Sequence, residues 1–256
     1  MATFKTKYVH INKDTSEIEI IKKEDFDKFN EGILGLGNIE KKSVPMDALC
    51  VMFDLEGFTD FCKQIDPHLA VPEYLSEFLK WIFQEIKQQL ISKTHKEGYE
   101  TWSDLPFLSK YFGDGLLFIW NTKKMDESGI LNAVVTMHDI CTLYQLNFLK
   151  DVSKKIAAPP PKLRCGIARG TIYSVGNGND YVGPCINMAS RLQKLYSLSV
   201  CFSRRGLNLD HMTKKYSDLF IVKKVDVRGI GNGELVCILK SEYSDLSELD
   251  KANFRD

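Results

Sequence analysis

Ala48-Leu49-Cys50-Val51-Met52-Phe53 is an unbroken apolar run of strand length that stops at Asp54, the pattern of a central strand covered on both faces. Leu75, Phe78, Leu79, Ile82, Phe83, Ile86 and Leu90 follow at helical spacing after Pro72, predicting a long helix that lays one apolar stripe on the core. Two β-prone runs, Leu108 to Phe112 and Leu116 to Trp120, flank Gly113-Asp114-Gly115, a hairpin with Asp114 at its tip. Leu131, Val134, Val135, Met137, Ile140, Leu143 and Leu146 mark a second amphipathic helix, and Pro159-Pro160-Pro161 after it forms a stiff connector. Leu163 to Ile167 and Thr171 to Val175 read as two strands around Gly170, and Pro184 opens a helix through about Gln193.

The rest alternates short strands with one short helix and ends in a charged segment from Ser241 that is expected to fray. Residues 1–45 are polar and broken by Gly32, Gly35 and Gly37, with one alternating stretch, Glu17 to Ile21, of short-strand character. The chain therefore divides into an N-terminal extension (1–45), one domain (46–240) and a charged C-terminal tail (241–256). Strands interleaved with long helices, plus a hairpin, predict an α+β fold with helices over a mixed sheet.

Composition narrows the chemistry. The chain has 256 residues, 44% hydrophobic, enough for a sizeable core. Lys plus Arg and Asp plus Glu both number 34, so no overall basic field collects nucleic acid or anionic lipid, and any anionic ligand needs a specific site. No stretch of 18 apolar residues occurs, and the start, MATFKTKY, lacks the apolar core of a signal peptide. Seven cysteines without CxxC spacing, three of them (Cys50, Cys165, Cys201) in apolar strand-like runs, suit a reduced cytoplasmic protein. The Ser and His residues form no nucleophile motif, the five histidines have no metal-ligand spacing, and Gly176-Asn177-Gly178 lacks the Walker pattern and reads as a loop.

Two carboxylates remain where a metal site would form: Asp54 at the strand end and Asp114 at the hairpin tip. Each alone reads as an ordinary strand-ending or turn aspartate. Their flanks change that reading. Asp54-Leu55-Glu56-Gly57-Phe58-Thr59 and Lys110-Tyr111-Phe112-Gly113-Asp114 resemble the two metal-binding motifs of class III adenylyl and guanylyl cyclases. Gly166-Ile167-Ala168-Arg169-Gly170, then Asp180-Tyr181-Val182-Gly183, then Asn187-Met188-Ala189-Ser190-Arg191, is similar to that family's remaining signature, in order. The resemblance spans roughly residues 46 to 240.

It implies a cyclase (ferredoxin-like, palm-like) fold in a head-to-tail homodimer and a phosphorus–oxygen lyase that closes a nucleoside triphosphate into a 3′,5′-cyclic nucleotide, releasing pyrophosphate. Two Mg²⁺ or Mn²⁺ ions per site would be held by Asp54, Asp114 and the carbonyl of Leu55. Hard oxygen ligands suit both metals, which offset the charge gathering on a transferring phosphoryl group. Asn187 and Arg191, four apart on one helix face, would orient the ribose and bind the phosphate oxygens as charge builds. Phe58, Lys110, Asp180 and Arg228 would contact substrate, Arg228 at the terminal phosphates. Some relatives carry an arginine after the glycine where this chain has Thr171; Arg169, Arg204 and Arg205 are the available replacements.

Lys110 and Asp180 occupy the places where adenylate-forming relatives keep a Lys/Asp pair for adenine. The segment YSVGNGNDYVGPCINMASRLQ, Tyr173 to Gln193, looks most like the stand-alone bacterial pyrimidine cyclases of Pycsar phage defence. The same donor and acceptor can meet uracil or cytosine in a smaller pocket, with discrimination by polar groups the wrong base leaves unpaired. The resemblance thus favours UTP or CTP over ATP, with the cyclic product acting on a separate effector, and no nucleic-acid or membrane partner. The contrasting reading, a nucleotide-binding regulator without turnover, would be expected to lack a metal aspartate or the Asn/Arg pair, and all four are present.

Overall fold

The computed structural model describes residues 9–11, 18–20, 28–94 and 99–256. These fall into two compact units, one of Met1–Ser43 with Ser174–Tyr181, the other of Val44–Tyr173 with Val182–Asp256.

In the first unit, β1 (Val9–Ile11) pairs antiparallel with β2 (Ile18–Ile20). The strand expected over Glu17 to Ile21 is thus seen as Ile18–Ile20, its two end residues lying outside the described residues. A 3-10 turn, Glu31–Leu34, is capped by the Asn30 side chain, which accepts from the Gly32 amide at 2.9 Å. The Asn177 amide donates to the Leu36 carbonyl at 2.9 Å. Gly176 is required there twice over: its φ is 59°, and a Cβ would lie 2.0 Å from the Leu36 oxygen. Nothing in the sequence pattern assigned Ser174–Tyr181 to this unit.

The second unit is built on β3 (Pro45–Glu56), which pairs antiparallel with both β7 and β8. After it come α1 (Phe58–Phe61), α2 (Pro67–Gln89), the strand pair β4 (Ile91–Thr94) and β5 (Tyr99–Trp102), and the hairpin β6 (Leu108–Phe112) with β7 (Gly115–Asn121). Next are α3 (Glu127–Leu143), a π-helical turn Tyr144–Phe148, α4 (Leu149–Val152), β8 (Lys162–Val175, its last two residues in the first unit), β9 (Asp180–Val182, only Val182 in this unit) and α5 (Pro184–Leu192). The chain closes with β10 (Val200–Ser203), α6 (Lys214–Ser217), β11 (Phe220–Val227), β12 (Gly231–Leu239), α7 (Lys240–Asp245), α8 (Glu248–Lys251) and β13 (Phe254–Arg255).

The sheet runs β13-β11-β12-β10-β8-β3-β7-β6, with β9 pairing β8 off this path. The pairings along this path are antiparallel except β8 with β10, which are parallel and joined through α5. Its two faces follow from strand alternation. Leu49, Val51, Phe53 and Leu55 of β3, with Leu116, Phe118 and Trp120 of β7 and Leu163, Cys165 and Ile167 of β8, meet Tyr74, Phe78, Ile82 and Ile86 of α2 and Ile130, Val134, Met137 and Ile140 of α3 in one core. On the opposite face Cys50 of β3 meets Cys185 of α5, thiol to thiol at 3.3 Å.

Several expected boundaries move, each for a local reason. The β3 strand runs past Asp54 to Glu56 because its pairing with β8 continues to Glu56 opposite Lys162. Helix α2 starts at Pro67, five residues before Pro72, which is internal. Pro67 sits at the tolerant first position, after Asp66 with φ 57°. Phe83 and Leu146 are exposed rather than in their stripes. The π turn advances the phase so that Tyr144 and Phe148 are buried in place of Leu146. The two strands expected around Gly170 are one, β8, with Gly170 in register with Ala48. Residues 241–256 do not fray: Phe254 is buried against the rings of Tyr196 and Tyr243, and Val225 and Lys224 pair with β13.

The proline connector is fixed as expected of a stiff element. The Tyr144 hydroxyl donates to the Pro160 carbonyl at 2.5 Å, and the Tyr74 hydroxyl meets Tyr144 at 2.8 Å. Burial pushes both phenols above the usual tyrosine range.

Candidate active site

Strand register brings the two aspartates to one end of the sheet. Asp54 lies opposite Gly115, the residue after Asp114, and the Leu55 amide donates to the Asp114 carbonyl at 3.2 Å. The hairpin turns in two residues, Gly113 and Asp114, and Gly113 takes the φ of 64° that such a turn requires. Asp114 is half-buried, whereas Asp54 is 3% exposed. Among the described residues no three His, Cys, Asp or Glu side chains gather into a metal cage. Asp54, Asp114 and the Leu55 carbonyl offer hard oxygens, the kind that hold Mg²⁺ when substrate phosphates complete the shell. The donor set therefore fits the ions the motifs imply.

Burying a carboxylate demands a counter-charge. Asp54 receives it from Arg164, its cross-strand partner on β8, whose Nε donates to Oδ2 at 3.1 Å and whose Nη2 donates to the same oxygen. Lys194, just beyond α5, adds its Nζ at 3.8 Å from Oδ1. Glu56, two residues on and on the same face, lies 3.6 Å from Arg164 Nη1. Arg164, Glu56 and Lys194 were not singled out by the motifs. The available signal was Arg164 itself, a charged residue between Leu163 and Cys165 in a run otherwise read as a buried strand.

Helix α5 is set on the sheet by two glycines. A Cβ on Gly166 would lie 2.1 Å from the Ala189 carbonyl oxygen and 2.3 Å from the Gln193 amide nitrogen, and one on Gly170 would lie 3.3 Å from Cys185 Cβ. Cys185, Met188, Ala189 and Leu192 form the buried stripe, and Asn187 and Arg191 lie together on the exposed side. Contact with Cys185, and then burial, hold the Cys50 thiol far above the ordinary range.

The remaining expected residues lie on separate elements. Phe58 packs on the core beside Phe61, ring centroids 5.9 Å apart. Lys110 lies on β6 opposite Leu117, with Nζ 5.1 Å from the Phe112 ring. Asp180 belongs to the first unit and accepts from the Tyr181 amide at 2.9 Å. Arg228 is exposed in the three-residue loop between β11 and β12, whose strands lie three and four places from β3 in the sheet. The three arginines considered as replacements at Thr171 are engaged elsewhere. Arg169 binds Glu127 at 2.7 Å and the Gly206 carbonyl at 2.9 Å, Arg204 the Leu207 carbonyl, and Arg205 the Glu234 carboxylate. Thr171 donates to Asp47 at 3.2 Å.

No family model matches the chain, and no curated protein matches it in sequence. Solved structures do match. The adenylyl cyclase CyaB from P. aeruginosa is similar at 14% identity and TM-score 0.58, over 81% of this chain and 100% of that one. The guanylyl cyclase Cya2 is similar at 17% identity and TM-score 0.54, over 77% of this chain and 92% of that one. The guanylate cyclase domain of RhGC from Catenaria anguillulae, solved in complex with GTP, is similar at 17% identity and TM-score 0.52, over 76% and 97%. The chain has the fold of class III nucleotidyl cyclase catalytic domains. Among the described residues no helix is long and apolar enough to cross a membrane.

Proposed function

We propose that this chain is a metal-dependent nucleotidyl cyclase that converts a pyrimidine ribonucleoside triphosphate, UTP or CTP, into its 3′,5′-cyclic monophosphate and pyrophosphate. The observation that carries the reading is the placement of Asp54 and Asp114 at one end of a cyclase-type sheet, joined through the Leu55 amide. Bound divalent ions would supply charge neutralisation at the phosphates and a lower pKa for the attacking hydroxyl. The carboxylates of Asp54 and Asp114 and the Leu55 carbonyl would hold them. In the reaction the ribose 3′ oxygen bonds to the α-phosphorus, the bond from that phosphorus to the bridging oxygen breaks, pyrophosphate leaves, and the hydroxyl proton passes to water. Asn187 orients the ribose, Arg191 donates to the α-phosphate oxygens as charge builds, and Arg228 binds the terminal phosphates.

Asn187 and Arg191 are on the exposed side of α5, and Arg228 is on a loop several strands from β3. A head-to-tail homodimer would pair the aspartates of one chain with α5 of the other, giving two equivalent sites. Exposed Leu105, Phe107, Tyr111 and Phe112, on and beside the strand leading to Asp114, support an interface there.

The pyrimidine assignment is supported by the Tyr173 to Gln193 segment, and the role that goes with it is a second messenger for a separate antiphage effector. The Lys110 and Asp180 positions favour ATP instead. A competition of all four ribonucleotides in one tube with Mg²⁺ or Mn²⁺, products identified by mass, separates the readings. Cyclic UMP or CMP is expected to predominate. Predominant cyclic AMP would overturn the base assignment alone, and absence of every cyclic product would overturn the enzyme.

A further inference from the structure

Arg164 is within reach of two carboxylates at once. Its guanidinium donates to Asp54 through Nε at 3.1 Å, and its Nη1 stands 3.6 Å from Glu56 Oε2. That Glu56 oxygen is buried and has no hydrogen bond. Lys162, the residue opposite Glu56 in the β3–β8 ladder, is committed elsewhere, to Glu242 at 3.4 Å and to the Ser197 carbonyl. Among the described residues Glu56 therefore pairs with Arg164, while Arg164 spends its hydrogen bonds on Asp54.

We propose that Arg164 is the resident counter-ion of the metal site, held by Asp54 before a divalent cation binds and transferred to Glu56 when one does. The proposal rests on the reading of Asp54 as a metal ligand. Asp54 is too buried for water to carry its charge, so an empty site needs a protein cation. A divalent ion at Asp54 and Arg164 on the same carboxylate would repel each other. A planar guanidinium with several donors can pivot between two carboxylates on one strand face without leaving either uncompensated, which a lysine ammonium does less well. The metal takes over Asp54, and Arg164 satisfies the Glu56 oxygen that has no hydrogen bond. Arg164 is thus a positioning residue that competes with metal, and its removal should tighten metal binding.

The test is titration of the purified full chain with Mn²⁺ alone, free ion being counted by electron paramagnetic resonance. Arg164→Gln is expected to bind Mn²⁺ about tenfold tighter than the parent and to gain a larger Mn²⁺-induced rise in Tm. Glu56→Gln is expected to weaken binding about threefold or more when Arg164 is present, and to have little effect when combined with Arg164→Gln. A plain Coulombic contribution of Glu56 would persist in both backgrounds. Asp54→Asn separates the layers. If it abolishes Mn²⁺ binding but Arg164→Gln does not tighten it, the counter-ion role is overturned and the metal site stands; if Asp54→Asn changes nothing, both fall. Should Arg164→Gln fail to fold, Glu56→Gln alone decides: unchanged Mn²⁺ affinity overturns the transfer.

Discussion

The amide of Leu55 donates to the carbonyl of Asp114 at 3.2 Å, so the end of the central strand and the tip of the hairpin are tied by main chain, not by the side chains that would hold metal. Asp114→Ala should therefore leave the fold intact, with stability changed by no more than about 0.5 kcal/mol. Cyclase activity should fall by at least about a thousandfold, or about 4 kcal/mol of transition-state stabilisation. Asp54→Ala should lose activity equally but also cost on the order of 2 kcal/mol of stability, since Arg164 loses the buried carboxylate it donates to. Thermal melts beside product assays by mass check both. Retained activity in both variants would remove the metal assignment.

A second expectation concerns assembly. Asp54→Ala chains and Arg191→Ala chains should each be inactive, and mixing them under exchange conditions should restore activity, because one of the two sites in the mixed dimer keeps both residues. Activity that stays at the level of the separate variants after proven exchange would rule out a site composed from two chains.

The two glycines under α5 should differ in sensitivity. Gly166→Ala drives a methyl group to 2.1 Å from the Ala189 carbonyl and must move the helix that carries Asn187 and Arg191. A cost of about 1–3 kcal/mol is expected, read as a Tm fall of about 2–4 °C per kcal/mol in a chain of this size, together with a fall in kcat. Gly170→Ala meets Cys185 at 3.3 Å and should be milder in both readouts. An equal response would mean that α5 is not held by close approach at Gly166.

Away from the site, Tyr216 donates to Asp139 Oδ2 at 2.8 Å while His138 engages Oδ1 at 2.9 Å. Burial alone would raise the Asp139 pKa, but these hydrogen bonds outweigh it and hold the carboxyl below its ordinary value. Its stabilising effect is present above the unfolded carboxyl pKa and is lost as pH falls through the folded one. Tyr216 itself is pushed up to about 12, by partial desolvation first and then by Asp139. Its share is complete below the unfolded phenol pKa of about 10 and is lost as pH rises toward the folded value. Tyr216→Phe should therefore flatten the alkaline loss between about pH 10 and 12 and bring acid unfolding to a higher pH. Urea midpoints across pH measure both limbs, and an unchanged acid limb would show that Tyr216 does not support the Asp139 charge.

Much of this was legible in the chain because alternation and helical spacing report burial directly. The run Ala48 to Phe53 and the turn at Gly113-Asp114 suffice to place the sheet centre and the hairpin. Spacing failed where local geometry departs from ideal. Pro72 reads as a helix start unless the earlier Pro67 is preferred, and the phase change at Tyr144 cannot be counted from a regular 3.6-residue period. At the site, the motifs marked Asp54, Asp114, Asn187 and Arg191 but passed over Arg164. Its role depends on which residue lies across the β3–β8 ladder, a register that is set only when the sheet assembles.

Strand β13, Phe254–Arg255, covers part of one margin of the sheet. It occupies the free side of β11 at Lys224 and Val225, and Arg255 binds Asp226. A chain shortened after Leu239 would present unpaired amides and carbonyls along β11 beside the exposed side chain of Val222, a template for strand addition by another copy. A shortened version is therefore expected to self-associate more readily, and where it ends would govern its solubility.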